Sequence, residues 1–270
     1  MIVTGIGNTG GVGVTTLMAS LFEYLLSKDK DVYWISLSDL IPPLFYHDKS
    51  MWSVYESVVR EVPQWDKLKC IFCDECQKSC NSGAIVRYGE MYVTYNELCI
   101  SCGSCIYACK YQSVFWGSRK IGSIEQSLIN NRVFKTNLKP KEILSSWHCK
   151  TIINILTKKL PHDAILLLDF LSGFRELWSD LINLSNKIIF YNNDLLSWEM
   201  LYKSISHDQA EIILAVNRNY YELFAERGYS FALSVPHTKE INIEAIQGKK
   251  ITDEDYQQVI KDLTYLLNFD

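Results

Sequence analysis

"IVTGIGNTGGVGVTTLMASLFEYLL", residues 2–26, runs from an apolar stretch through a glycine-rich loop into an amphipathic segment. Ile2 to Ile6 is short and continuously apolar or small, which predicts a buried strand. Gly10, Gly11 and Gly13 follow, and they allow a backbone conformation that other residues avoid. From Thr15 to Leu26 apolar residues recur at helical spacing. A loop joining a strand end to a helix start aims backbone N–H groups and the helix dipole at one point, forming an anion nest. Thr15 and Thr16 add hydroxyls there, while Val14 stands where a phosphate loop of this spacing carries lysine.

Outward from this unit, "DVYWISL" (31–37) predicts a second strand, and the paired prolines of "LIPPLF" (40–45) break regular structure. "MWSVYESVVREV" (51–62) predicts a short helix, and "KIGSIEQSLINNRVFKTNLK" (120–139) a pair of strands. Further strands are predicted at 164–169, 187–191, 211–216 and 230–235, with helices at 143–160, 174–184, 195–206, 218–227 and 253–268. The last places Tyr256, Val259, Ile260, Leu263, Leu266 and Leu267 on one face. Continuously apolar strands alternating with helices imply an α/β fold, a mostly parallel sheet covered on both faces.

Composition narrows the function. The 270 residues are 48% hydrophobic, as in an ordinary globular chain. With 27 basic and 31 acidic residues the formal net charge is -4, so no basic surplus points to nucleic acid. "AILLLDF" (164–170) and "KIIFY" (187–191) are far too short to span a bilayer. The start "MIVTGIG" lacks the basic and long apolar regions of an export signal, so a cytoplasmic location is expected.

Eight of the nine cysteines fall between 70 and 109. An odd total without an export signal argues for metal rather than disulfides. "CIFCDECQKSCNSGAI" (70–85) matches "CISCGSCIYACKYQSV" (99–114) with every cysteine offset by 29, so the segment is one unit copied twice. Each copy has the spacing C-x2-C-x2-C-x3-C, in which three thiolates wrap one cubane and the fourth reaches the neighbouring cluster. The first 4Fe-4S cluster is assigned to Cys70, Cys73, Cys76 and Cys109, and the second to Cys99, Cys102, Cys105 and Cys80. Tetrahedral zinc is the competing use of four thiolates, but zinc modules separate two C-x2-C pairs by a longer loop. Cys149, beside His148 in a predicted helix, is expected to be a buried structural thiol.

The cysteine block resembles a bacterial two-cluster ferredoxin over about fifty residues, with Asn81 and Lys110 where that family has proline after the fourth cysteine. The surrounding core resembles the deviant-Walker P-loop ATPases of the MinD/ParA superfamily over nearly the whole chain. Within it, the likeness is to the branch with a ferredoxin inserted after the second strand. This implies a P-loop NTPase-like fold with core parts at 1–64 and 118–270 and an inserted ferredoxin-like α+β domain at 65–117. The family's loop reads K-G-G-x-G-K-S/T-T, and here Thr9 and Val14 stand at the two lysine positions. Ser36 and Ser38, followed by Asp39, replace its D-x-D strand end. "AILLLDFLSG" keeps Asp169 at the Walker B acid, "TNLKPKEILSS" (136–146) resembles another family element without its glycines, and "ILAVNRN" keeps Asn217 where the family contacts adenine. The resemblance thus implies a degenerate nucleotide site of Gly10, Gly11, Gly13, Thr15, Thr16, Asp169 and Asn217.

Phosphoryl transfer rests on positioning and electrostatics, so losing both cations and the acidic strand end removes the expectation of ATP hydrolysis by this chain alone. Binding of ATP and Mg²⁺ stays open, because the backbone nest persists. No catalytic residue is assigned. The expected function is electron transfer by two 4Fe-4S clusters on an inactive ATPase scaffold. The expected partners are a redox protein and, since the family dimerises, either a second copy or an active paralogous ATPase. The alternatives are an ATP-gated electron donor resembling the nitrogenase iron protein, which the two lysines would have favoured, and a cluster carrier or assembly scaffold.

Overall fold

Ile2–Gly7 forms β1 at the centre of a nine-stranded sheet, where it pairs in parallel with β8 (Ile165–Phe170) on one side and β9 (Lys187–Asn192) on the other. A strand flanked on both sides and covered on both faces favours apolar or small residues, and its one buried hydroxyl, on Thr4, is paired with that of Ser185 at 2.6 Å. The computed structural model describes residues 1–270 except 9–10, 38–44, 46–48, 141, 143, 171–176, 194–196, 198–209, 221, 223–225, 227–232 and 270. Beyond β8 lie β2 (Val32–Ser36), β7 (Val133–Leu138), β6 (Val114–Ser127) and β3 (Trp52–Trp65), and beyond β9 lie β10 (Glu211–Asn217) and β11 (Leu233–Val235). The pairs β2/β8, β2/β7, β9/β10 and β10/β11 are parallel. This is the predicted mostly parallel α/β sheet.

Helix α1 (Val14–Ser27) packs Leu17, Met18, Leu21, Phe22 and Leu25 into the main core. Its approach to β1 needs Gly5, where a Cβ would come within 2.5 Å of Met18 Cγ. The chain thus leaves β1 between the carboxyl ends of β8 and β9, the position at which open α/β sheets present a ligand crevice. Helices α4 (Ser146–Lys159) and α5 (Trp178–Leu184) fall within the predicted segments. The predicted helix at 195–206, apart from Ser197, and much of that at 218–227 lie outside the described residues, as does most of "LIPPLF".

One prediction is overturned: 51–62 is not a helix, because Trp52–Trp65 is the fourteen-residue strand β3. Val58, Arg60 and Val62 are buried while Val59 and Glu61 are exposed, a period of two that β-branched residues fit. Outside the cysteine segment one helix was not foreseen, α6 (Lys239–Ile246), which buries only Ile241. Its signal was the N-cap Thr238, whose hydroxyl accepts the Ile241 N–H at 3.2 Å. The last helix, α7, spans Glu254–Leu266 and carries the predicted apolar face.

The chain divides into two compact units, residues 1–55, 124–137 and 144–270 in one, and 56–123 with 138–143 in the other. The expected segment 65–117 lies within the second. That unit holds two short helices, α2 (Glu75–Lys78) and α3 (Ser104–Ala108), and an antiparallel hairpin of β4 (Ile85–Tyr88) and β5 (Met91–Thr94).

Candidate functional site

Within the second unit the sequence repeat is also a backbone repeat. Phe72 (φ 57°) and Asp74 (φ 64°) are left-handed between the cysteines of the first copy, and Ser101 (φ 56°) and Gly103 (φ 79°) are left-handed 29 residues later. Gly83 (φ 66°) and Gln112 (φ 51°) form a third such pair. Left-handed residues other than glycine cost roughly 1–3 kcal/mol and persist where surrounding contacts over-determine them. Here the contacts are explicit. Arg87 Nη1 donates to the Phe72 carbonyl at 2.9 Å and pairs with Asp74 at 3.2 Å, and the Tyr92 hydroxyl donates to Asp74 at 2.8 Å. In the second copy the Ser101 hydroxyl donates to the Glu61 carbonyl at 2.6 Å and Arg60 to the Cys99 carbonyl at 3.4 Å. The hairpin therefore grips one cysteine loop and β3 grips the other.

Seven of the eight cysteines sort into two groups that cross between the copies. Cys80, Cys99, Cys102 and Cys105 line one pocket with Ile85, Ala84 and Trp116. The Cys76 thiol, buried on α2, sits close enough to Cys70 and Cys109 for both to act on it electrostatically. Cys105 on α3 feels Cys99, Cys80 and also Cys76. Cys73 and Cys102 are exposed. Burial pushes the Cys76 thiol up and Cys105 to about 11. Cys102 is lowered by Ser104, whose hydroxyl lies 3.3 Å from its sulfur. Burial also acts on Cys109, yet it lies below the usual thiol range because the Ser113 hydroxyl (3.2 Å) and N–H (3.3 Å) outweigh it.

Among the described residues no three His, Cys, Asp or Glu side chains converge as a site for a single metal ion. A larger sulfur-rich group fits the residues present. Four soft donors line one pocket and three more, Cys70, Cys76 and Cys109, gather together, and the buried Trp65 Nε1–H has no hydrogen-bond partner among the described residues while the Cys76 sulfur faces it. Cys149 belongs to the other unit, fully buried on α4, where burial and then Asp180 push its thiol up to about 12.

In the first unit, Gly11 (φ 76°) and Gly13 (φ 106°) turn the loop after β1. A Cβ on Gly13 would lie 3.0 Å from Tyr191 Cε1, so the loop and β9 pack closely. Thr9 and Gly10 lie outside the described residues, as do Ser38, Asp39 and 171–173. Gly11, Gly13, Thr15 and Thr16 line a cavity of 520 Å³ with Tyr191, His237, Asn242 and Tyr256, which sequence reasoning missed because they follow no motif. Its described lining holds no Lys or Arg. Val14 is 5% exposed and packs into the core.

Thr15 Oγ1 donates to both oxygens of Asp169 at 3.0 and 3.2 Å. Burial raises the Asp169 carboxyl to about 7, with the Thr15 bond pulling the other way. Ser36 stands opposite Asp169 in the sheet register. Asn217 does not line the cavity, and its Oδ1 accepts the Asn219 N–H at 3.0 Å. Among its described residues the loop presents two left-handed glycines and no side-chain cation.

No protein-family model matches the chain, and no curated protein matches it in sequence. Solved structures do match in fold. They include the MinD cell division protein of Aquifex aeolicus, with 15% identity, TM-score 0.54 and coverage of 100% of this chain and 97% of that one. A putative plasmid partition protein from Borrelia burgdorferi B31 bound to AMPPNP matches at 12%, TM-score 0.54, covering 100% and 99%. A ParA family ATPase from Chlorobium tepidum TLS matches at 13%, TM-score 0.51, covering 99% and 98%. At such identities the likeness is one of fold: the chain has the α/β architecture of MinD- and ParA-type ATPases. Among the described residues no helix is long and apolar enough to cross a membrane.

Proposed function

We propose that this chain is an electron-transfer protein that holds two 4Fe-4S clusters on a MinD/ParA-like scaffold without ATPase activity of its own. Cys70, Cys73, Cys76 and Cys109 hold the first cluster, and Cys99, Cys102, Cys105 and Cys80 the second. The observation that carries the reading is the repeated left-handed backbone, offset by 29 residues like the cysteines themselves. One ligand loop copied in sequence and in conformation suits two equivalent clusters that exchange their fourth ligands.

Each cubane supplies a reversible one-electron store when bound. The protein's own residues tune it. Ser113, Ser104 and Ser82 approach the sulfurs of Cys109, Cys102 and Cys80 at 3.2, 3.3 and 3.5 Å, and such donors stabilise negative charge there. Ile85 and Val114 pack around Cys76 and Cys105 and exclude water between the two sites. The exposed Cys73 and Cys102 put one edge of each site at the surface, where a redox partner reaches it. The nucleotide-type fold serves as the dimerisation scaffold, with a second copy or an active paralogue across its ligand face.

Anaerobic purification with iron and acid-labile sulfide analysis tests the reading. About eight of each per chain are expected if both cubanes form. A strictly anaerobic, reconstituted preparation with two zinc ions and no sulfide would overturn it.

A further inference from the structure

We propose that the Trp65 indole N–H donates a hydrogen bond to the Cys76 sulfur and thereby raises the reduction potential of the first cluster relative to the second. The proposal rests on the cluster reading above and deepens it. Trp65 closes β3 five residues before Cys70. Its ring stacks on Tyr92 at 5.4 Å and 23°, Tyr92 stacks on Phe72 at 6.1 Å and 23°, and the Arg87 guanidinium lies 5.4 Å from the Phe72 centroid. This ladder fixes the orientation of the indole, which also packs against the small core of Cys76, Ile85, Cys105 and Val114.

Indole nitrogen is a donor only, and a buried donor without an acceptor is rare in folded proteins. Trp65 Nε1 is such a donor among the described residues, and the polar atom that faces it is the Cys76 sulfur. A neutral thiol accepts weakly, whereas a thiolate that shares the negative charge of a cluster accepts strongly. The bond therefore strengthens as an electron is added, which favours the reduced form and raises the potential.

The internal repeat supplies the contrast. The residue equivalent to Trp65, 29 positions on, is Thr94, whose hydroxyl donates at 3.5 Å to the Pro63 carbonyl and not to a cysteine. The indole N–H facing a cysteine is thus present in the first copy and absent at the equivalent position of the second.

The test uses holoprotein of established iron and sulfide content, titrated anaerobically by EPR-monitored redox potentiometry. Trp65→Phe keeps an aromatic ring for Tyr92, and 3-benzothienylalanine at position 65 keeps the full bicycle while removing the N–H. Cys73→Ser, which alters a ligand of the first cluster only, assigns that cluster's signal. At the wild-type midpoint of the first cluster, both replacements should lower its reduced-to-oxidised ratio about two- to tenfold, the weight of one ordinary hydrogen bond. The second cluster's midpoint should stay where it was. Unchanged midpoints with full iron and sulfide would overturn the inference and leave the cluster reading standing. So would a shift confined to the second cluster, or loss of the first cluster from both replacements. Wild-type protein without sulfide would overturn the cluster reading itself, and the prior metal analysis separates the two failures.

Discussion

Asp169 is 4% exposed, and its carboxylate has Thr15 as its hydrogen-bond donor. Burial raises its pKa from 3.8 to about 7. Between about 4 and 7 the folded protein therefore keeps a proton that the unfolded chain has released. Because the folded state binds more protons in that window, this residue's contribution makes stability fall as pH rises through it and level off above it. Asp169→Asn retains an acceptor for Thr15 and cannot titrate. Urea unfolding at pH 5, 6, 7 and 8 should show wild type losing stability relative to the variant up to about pH 7, with the variant the more stable at pH 8. A constant difference across the series would mean that Asp169 is ionised throughout.

At the scale of elements, each proposed cluster takes its thiols from both cysteine copies. The fourth cysteine of each follows its short helix and joins the thiols of the other copy: Cys80 lines the pocket of Cys99, Cys102 and Cys105, and Cys109 acts on Cys76. Cys80→Ala should therefore impair the cluster held by the second motif, lowering iron toward about half while the signal assigned to Cys70, Cys73 and Cys76 persists. Loss confined to the first motif's cluster would show that each copy closes on itself. The strand β3 teaches the complementary lesson. Its valines fit helical spacing over a short window, but Trp52–Trp65 forms the edge strand beside β6 and carries the residues that hold the second cysteine loop.

For the whole molecule, the fold is that of MinD- and ParA-type ATPases, while the described lining of the loop cavity holds no Lys or Arg, and the proposed lack of ATPase activity rests on that difference. Wild-type chain alone is expected to release no phosphate from Mg-ATP above background. Val14→Lys should not change this, because Ser36 still faces Asp169 without a second carboxylate. It should instead lower unfolding free energy by roughly 1–3 kcal/mol, since Val14 lies in the core and a lysine there must bury or displace its charge. A phosphate-release assay and a urea titration on both proteins check this, and robust hydrolysis by wild type would promote the ATP-gated donor.

What the sequence by itself determined is what depends on neighbours along the chain. Cysteine spacing, the offset of 29, the glycine loop and the apolar periodicity of β1, α1, β8, β9 and α7 are local patterns, and each has its counterpart in the structure. The tertiary structure alone decided what depends on partners distant in sequence. Segment 52–65 became a strand because β6 offered it a ladder, and a β-branched stretch adopts the period its packing surface selects. The unforeseen wall of Tyr191, His237, Asn242 and Tyr256 comes from β9 and from the segments after β11, which reach the loop only when the sheet closes around β1. The sorting of Cys80 and Cys105 into one pocket likewise needs the two copies folded against each other. Contacts of that kind leave no periodic trace, because the residues that make them are joined by packing and not by spacing.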